Sequence, residues 1–147
     1  GGSGSRKKTC IELTESLKAT NIEFITVPQG KVPDIQSDAD VMLLPVKKGG
    51  AMSSIPSKLP AYMFSAKPII GSLDLESDTA RAINESGSGL VVEPENMNGL
   101  INAMRELSSM SKVDLKDKGK SGFEYAMVHF SKKSNLQKVV SIIERTI

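Results

Sequence analysis

Two kinds of hydrophobic spacing alternate along the chain. Over residues 7–19 the apolar side chains of Cys10, Leu13 and Leu17 recur at helical spacing, and charged residues face away from them. Short apolar or β-branched runs are typical of strands, and they occupy residues 22–27, 41–44, 69–72 and 90–92. The pattern therefore predicts four short strands, the first of them preceded by a helix.

Helical spacing returns between and after these runs. Ser57 can cap a helix that has Pro60 in its first turn, where the missing N–H is no loss, and that buries Leu59, Met63 and Phe64. Further helices are predicted over residues 76–85, from Asn96 or Asn98 onward, over 114–126 and over 136–143. Strands that alternate with helices indicate an α/β fold, in which helices cover both faces of a parallel sheet.

Composition narrows the class of protein. The chain has 147 residues, of which 39% are hydrophobic and 24% charged, as in a globular domain with a core of its own. A net charge of +2 gives no reason to expect a nucleic-acid partner, and the longest apolar run, 41–46, is too short to span a bilayer. One cysteine and one histidine exclude a disulfide framework and cysteine-based zinc sites, and no metal site is expected.

The first five residues read Gly-Gly-Ser-Gly-Ser. They are either a flexible linker or a glycine-rich turn, and residues 6–147 are predicted to form one domain.

A ligand site is expected outside the carboxyl ends of the strands. The loop over residues 46–57 is rich in glycine and serine and leads into a helix, so its backbone N–H groups could bind a phosphate. Lys47, Lys48 and Lys58 could add positive charge. The alternative is a solvated surface loop with incidental lysines, because neither a Walker A motif nor a GxGxxG fingerprint is present.

Four segments, in order, sharpen this prediction. They read ADVMLLP (39–45), PSKLPAYM (56–63), AKPII (66–70) and SGLVVEP (88–94). Together they resemble the C-terminal half of GT-B retaining glycosyltransferases of family 4, and the likeness extends over residues 6–147. The form of these segments is most similar to enzymes of bacterial surface-polysaccharide (O-antigen or capsule) assembly, such as L-fucosamine transferases.

The resemblance implies a Rossmann-like domain that binds a nucleotide-sugar donor, with UDP as the expected nucleotide. Such an enzyme transfers the sugar to a lipid-linked or saccharide acceptor held by an N-terminal domain. It needs no cofactor and no metal. The donor-binding residues would be Lys31, Lys47, Gly49, Gly50, Ser53, Ser54, Lys58 and Glu76, and the base would lie against Val27, Pro28 and Val32.

The chain departs from the family pattern at two positions. The family commonly carries two glutamates eight positions apart, and the aligned residues here are Ser53 and Ala61. Glu76 is the preferred replacement on the donor side, although it could simply complement the dipole of its helix. Further, a full domain of this family begins with strands that this sequence lacks, so the chain is expected to be part of a longer enzyme.

Two alternatives stay open. The missing glutamates favour a non-catalytic α/β regulatory or oligomerisation module. A nucleotide-sugar epimerase-like enzyme would need ionisable groups in the cleft, and Asp74, Glu76 and Glu93 are the available ones. The enzyme interpretation implies a cytoplasmic protein. The lysines over 112–120 with Lys132 and Lys133 are expected to form solvated helix faces, and the alternative is peripheral contact with the anionic inner membrane face.

Overall fold

The computed structural model describes residue 4 and residues 6–146. The chain divides into two compact units, one ending at Ile35 and one beginning at Gln36. Apart from Gly4, whose carbonyl accepts a hydrogen bond from the Lys7 amide, the glycine-rich start lies outside the described residues.

The first unit contains helix α1 (Lys7–Ser16) and the beginning of α2 (Val32–Asp38), a helix that the hydrophobic spacing did not indicate. The predicted apolar face of α1 is not covered, because Leu13 and Leu17 are 57% and 69% exposed and α1 buries no residue. The predicted helix is present, and its apolar stripe is exposed in the described part of the chain.

Residues 22–27 form no strand, contrary to the prediction. A strand is defined by ladder hydrogen bonds to a neighbour, and this segment forms no such ladder with any described residue. The composition that suits a strand is present, but the partner is not. The structure therefore holds three of the four predicted strands.

The second unit is built on those three strands. β1 (Met42–Pro45), β2 (Ile69–Ser72) and β3 (Gly89–Val92) are all parallel and lie in the order β1-β2-β3. In the register, Leu43, Ile70 and Leu90 lie side by side. The helices of this unit that follow α2 are α3 (Lys58–Phe64), α4 (Asp78–Ser86), α5 (Met97–Ser109), α6 (Lys112–His129) and α7 (Lys132–Thr146).

Side chains of successive strand residues point to opposite faces of the sheet, so two cores form. On one face Leu44 and Ile69 pack with residues from α3, α4 and α6: Leu59, Met63, Ile83 and Ala126. On the other face Ile70 packs with Ala103 and Leu107 of α5. The prediction of an α/β fold with helices on both faces of a parallel sheet is confirmed.

Helix α6 lies close to the segments that precede β2 and β3 because it carries glycine at both contacts. Gly119 and Gly122 are buried in the middle of α6. A Cβ at Gly119 would collide with the carbonyl oxygen of Ala66, and one at Gly122 would meet the Cβ of Ser88 at 2.8 Å. The two glycines therefore set the distance between this helix and the amino ends of β2 and β3.

Candidate functional site

The carboxyl ends of the three strands open onto one cleft. Each strand is followed there by a connecting segment: residues 46–57 after β1, 73–77 after β2 and 93–96 after β3. The cleft has a volume of about 510 Å³. It is lined by Lys48, Gly49, Met52, Asp74, Leu75, Glu76, Glu93 and Pro94.

The start of the first loop is a tight turn. The Gly50 amide donates to the Lys47 carbonyl oxygen at 2.9 Å, which closes a four-residue turn. Gly49 has a φ of +79°, the value that the third position of a type II turn requires and that glycine adopts without strain. The pair of glycines predicted to bind a donor therefore has a definite structural role in shaping the loop.

The carboxylate of Asp74 holds this turn from the neighbouring strand end. Both of its oxygens lie 2.9 Å from the Gly49 amide nitrogen, and Oδ2 also lies 3.4 Å from the amide nitrogen of Ala51. Hydrogen bonds from amides to an ionised carboxylate are stronger than those to a neutral acceptor. The loop is an anion-binding element, as its composition suggests, and the anion it binds is part of the same chain.

This contact changes the expectation for a phosphate. The amides of Gly49 and Ala51 donate to Asp74, and that of Gly50 donates within its own turn. In this conformation a phosphate would have to displace the Asp74 carboxylate to reach them. The sequence-based expectation that the N–H groups of Gly49 and Gly50 are open to a diphosphate does not fit the loop as it is folded.

A serine side chain joins the segment that contains Asp74 to the start of α4. Ser77 is 2% exposed, and its hydroxyl donates to the Asp74 carbonyl oxygen at 2.6 Å and accepts from the Ala80 amide at 3.1 Å. This is an ordinary serine N-cap, so one side chain joins the helix end to the turn. Beside it, the hydroxyl of Thr79 is buried and has no hydrogen-bond partner among the described residues.

The charges that line the cleft are mainly negative. Asp74, Glu76 and Glu93 face it together with a single cation, Lys48. These are the three carboxylates that the sequence offers for a cleft, and all three line this one. Glu76 and Glu93 are exposed, so their oxygens are open to a ligand from solvent.

Other residues predicted at the site lie outside the cleft lining. Lys47, Ser53, Ser54 and Lys58 are exposed on the same loop and at the start of α3. Ser57 stands at the N-cap position of α3, but its side chain forms no cap hydrogen bond. The loop thus presents lysines and serines to solvent next to the acidic cleft.

The remaining predicted residues belong to the first unit. Lys31 forms an exposed ion pair with Asp34, with Nζ and Oδ2 2.8 Å apart. Val27 is half-buried, and Pro28 and Val32 are exposed. Their contact with a nucleotide base stays a prediction.

The two positions where the family pattern has glutamate are also defined. Ser53 is exposed in the loop, and Ala61 is half-buried on α3. Next to it, Tyr62 packs against the core of the first sheet face, and burial raises the pKa of its hydroxyl. Neither aligned position lines the cleft.

The role of Asp74 could not be found from periodicity. An aspartate two residues after a buried strand is an ordinary sequence feature. Its contact with a loop 25 residues earlier depends on β1 and β2 being neighbours in the sheet. This contact could be anticipated only from the topological rule that the loops after neighbouring parallel strands lie at the same edge of the sheet.

Among the described residues, no group of three or more His, Cys, Asp or Glu side chains is placed to hold a metal ion. None of the helices in this part of the chain combines the length and the apolar character needed to cross a membrane. No family model matches the chain, and no curated protein matches it.

Proposed function

We propose that the chain is the donor-binding part of a retaining glycosyltransferase, which transfers a sugar from a nucleoside diphosphate sugar to a lipid-linked or saccharide acceptor. The observation that carries the proposal is the cleft at the carboxyl ends of three parallel strands, which Glu76, Glu93 and Lys48 all line. Ligands of open α/β sheets bind at this edge.

The resemblance in sequence supports the same placement. The four resembling segments coincide with β1, with α3 and the turn before it, with β2 and with β3. Three of the four therefore contribute a strand whose carboxyl end opens onto the cleft. The segments that resemble the family thus include the three strands whose carboxyl ends border the cleft.

The chemistry of the cleft favours the sugar rather than the diphosphate. An ionised carboxylate only accepts hydrogen bonds, and the hydroxyls of the transferred sugar donate them. A diphosphate beside Asp74, Glu76 and Glu93 would meet like charge, and one lysine does not offset three carboxylates. We therefore assign hydroxyl recognition to Glu76 and Glu93.

The diphosphate is assigned to the exposed part of the same loop. Lys47 and Lys58 flank Ser53 and Ser54 there, and all four are exposed. Ammonium groups and hydroxyls are suitable donors to phosphate oxygens. Lys48 belongs to this loop and also lines the acidic cleft.

The test compares UDP with a UDP-sugar on the whole chain by calorimetric titration. Glu76→Gln and Glu93→Gln should each weaken binding of the UDP-sugar by about 10-fold, the effect of losing one charge-assisted hydrogen bond, and leave the affinity for UDP unchanged. Glu106→Gln is the matched control, because Glu106 is exposed on α5 and outside the cleft.

Two outcomes would contradict the assignment. Tighter binding of UDP to Glu76→Gln with no loss for the UDP-sugar would mean that the glutamate only repels anions. No binding of UDP, GDP or their sugars to the wild-type chain would favour the non-catalytic α/β module instead.

A further inference from the structure

A second groove lies at the opposite, amino-terminal edge of the sheet. It has a volume of about 520 Å³ and runs between α6 and the segment that joins α3 to β2. Its floor is largely apolar, with Pro68, Leu115 and Phe123 among the lining residues. Four lysines and one carboxylate, that of Asp40, surround this floor; the lysines are Lys67, Lys112, Lys116 and Lys120.

The lysines of α6 form a continuous row. Lys112, Lys116 and Lys120 are spaced four residues apart, so they share one face of the helix, and all three are exposed. Lys67 adds a fourth ammonium group from outside α6. Glu124 is 3.8 Å from Lys120, but both side chains are well exposed, and such a pair contributes little.

Exposed apolar side chains share this face with the lysines. Val113, Phe123 and Met127 are 67%, 38% and 49% exposed. Val113 lies three positions before Lys116, Phe123 three after Lys120, and Met127 four after Phe123, so all three are on the face of the lysine row. Phe123 also meets Phe64 of α3 edge to face, with ring centroids 6.3 Å apart. The face therefore combines positive charge with hydrocarbon.

We propose that this surface, the basic face of α6 with Lys67, docks on an anionic phospholipid bilayer. Phospholipid phosphates would take the ammonium groups, and the apolar side chains would enter the boundary between headgroups and acyl chains. Charge complementarity and the exposed apolar residues together favour this partner over a purely polar one. The inference does not depend on the proposed function, because the groove and the donor cleft lie at opposite edges of the sheet.

Vesicle cosedimentation of the full chain tests the charge component. The wild type should bind vesicles made of equal parts phosphatidylcholine and phosphatidylglycerol, and should not bind phosphatidylcholine alone. Each lysine near an anionic surface contributes about fivefold to the partition coefficient, so the triple variant K112Q/K116Q/K120Q should lose about 100-fold. Circular dichroism checks that this variant is folded.

The control is the triple variant K8Q/K18Q/K138Q, which removes the same charge from exposed lysines outside α6. It should keep most of the binding. An equal loss in both triples would mean that only net charge matters, and would overturn the proposal. Binding to heparin or an oligonucleotide without binding to the anionic vesicles would overturn it as well.

A tryptophan reports on the apolar component, because the chain contains none. Val113→Trp should show a blue-shifted emission on the anionic vesicles, and Leu136→Trp on α7, where Leu136 is 54% exposed, should not. An unchanged emission from Val113→Trp in the presence of bound vesicles would contradict insertion of this face.

Discussion

At the scale of single residues, Asp74 connects two loops that are far apart in the chain. Its carboxylate accepts hydrogen bonds from the Gly49 and Ala51 amides, and its own carbonyl oxygen accepts one from Ser77. The residue therefore couples the glycine turn after β1 to the start of α4. Any ligand that draws the turn toward itself acts against this carboxylate.

Asp74→Ala is expected to free the turn. Because the two amides lose a charged acceptor, the free energy of unfolding should fall by about 2 kcal/mol, and amide hydrogen exchange at Gly49 and Ala51 should accelerate. Denaturant unfolding and exchange measured by NMR report the two effects. Asp117→Ala, an exposed site on α6, should change stability by less than about 0.5 kcal/mol. Unchanged exchange at both amides in Asp74→Ala would show that the carboxylate does not hold the loop.

Thr79 differs from Asp74 because its buried hydroxyl forms no hydrogen bond with any described residue. Its hydroxyl is buried without a hydrogen-bond partner among the described residues, so Thr79→Val should raise the free energy of unfolding by about 1 kcal/mol. Both residues are β-branched, so the helix propensity hardly changes. The comparison is Thr14→Val, whose hydroxyl donates to the Cys10 carbonyl oxygen at 2.8 Å and which should not gain stability. A destabilised Thr79→Val would mean that the hydroxyl has a partner in solution.

At the scale of elements, the packing of α6 against the segment between α3 and β2 depends on a missing side chain. Replacing a mid-helix glycine with alanine ordinarily stabilises a helix by about 1 kcal/mol. At Gly119 the new methyl group would collide with the Ala66 carbonyl oxygen, a backbone atom that cannot rotate away. The local preference and the tertiary contact therefore oppose each other at this position.

Gly119→Ala is expected to lower the free energy of unfolding by about 2 kcal/mol, since the steric cost of overpacking exceeds the gain in helix propensity. Thermal and denaturant unfolding measure the change. Asn102→Ala, at an exposed position inside α5, should be neutral or slightly stabilising. A Gly119→Ala variant more stable than the wild type would show that α6 can move away from Ala66 without loss of stability.

The sequence predicts those strands that have a neighbouring strand in this chain, and it predicts the helices that pack on them. β1, β2, β3 and the helices between them follow from apolar runs and spacing, and Asn96 caps α5 as its position suggests. Residues 22–27 have the same composition as a strand, but composition does not supply a neighbouring strand. Likewise, the apolar spacing of α1 is the kind that faces a core, but the spacing alone does not establish that any part of the described chain covers it.

At the scale of the whole molecule, the position of the cleft could be predicted better than its detail. The rule for parallel sheets points to the carboxyl ends of the strands, and a cleft lined by Asp74, Glu76 and Glu93 lies there. Which groups are open to a ligand could not be read from the sequence. That depends on hydrogen bonds such as the one from Gly49 to Asp74, which form between residues 25 positions apart.

Opposite edges of the sheet also differ in charge. The carboxyl edge carries the acidic cleft, and the amino edge carries the row of lysines on α6. With a net charge of only +2, the chain has nearly balanced charges that are unevenly distributed. This separation places the two proposed partners, a sugar nucleotide and an anionic bilayer, at different ends of the same fold.

Amide chemical shifts of the isotope-labelled chain, recorded while a UDP-sugar is added, test the central claim most directly. Binding in the acidic cleft predicts that the amides of Lys48, Leu75, Glu76 and Glu93 shift together with one dissociation constant, and that UDP alone shifts the loop over residues 46–57 more than Glu76 and Glu93. Shifts confined to the amino-terminal edge of the sheet, or no shifts at all, would contradict a sugar-nucleotide site at the carboxyl ends of the strands.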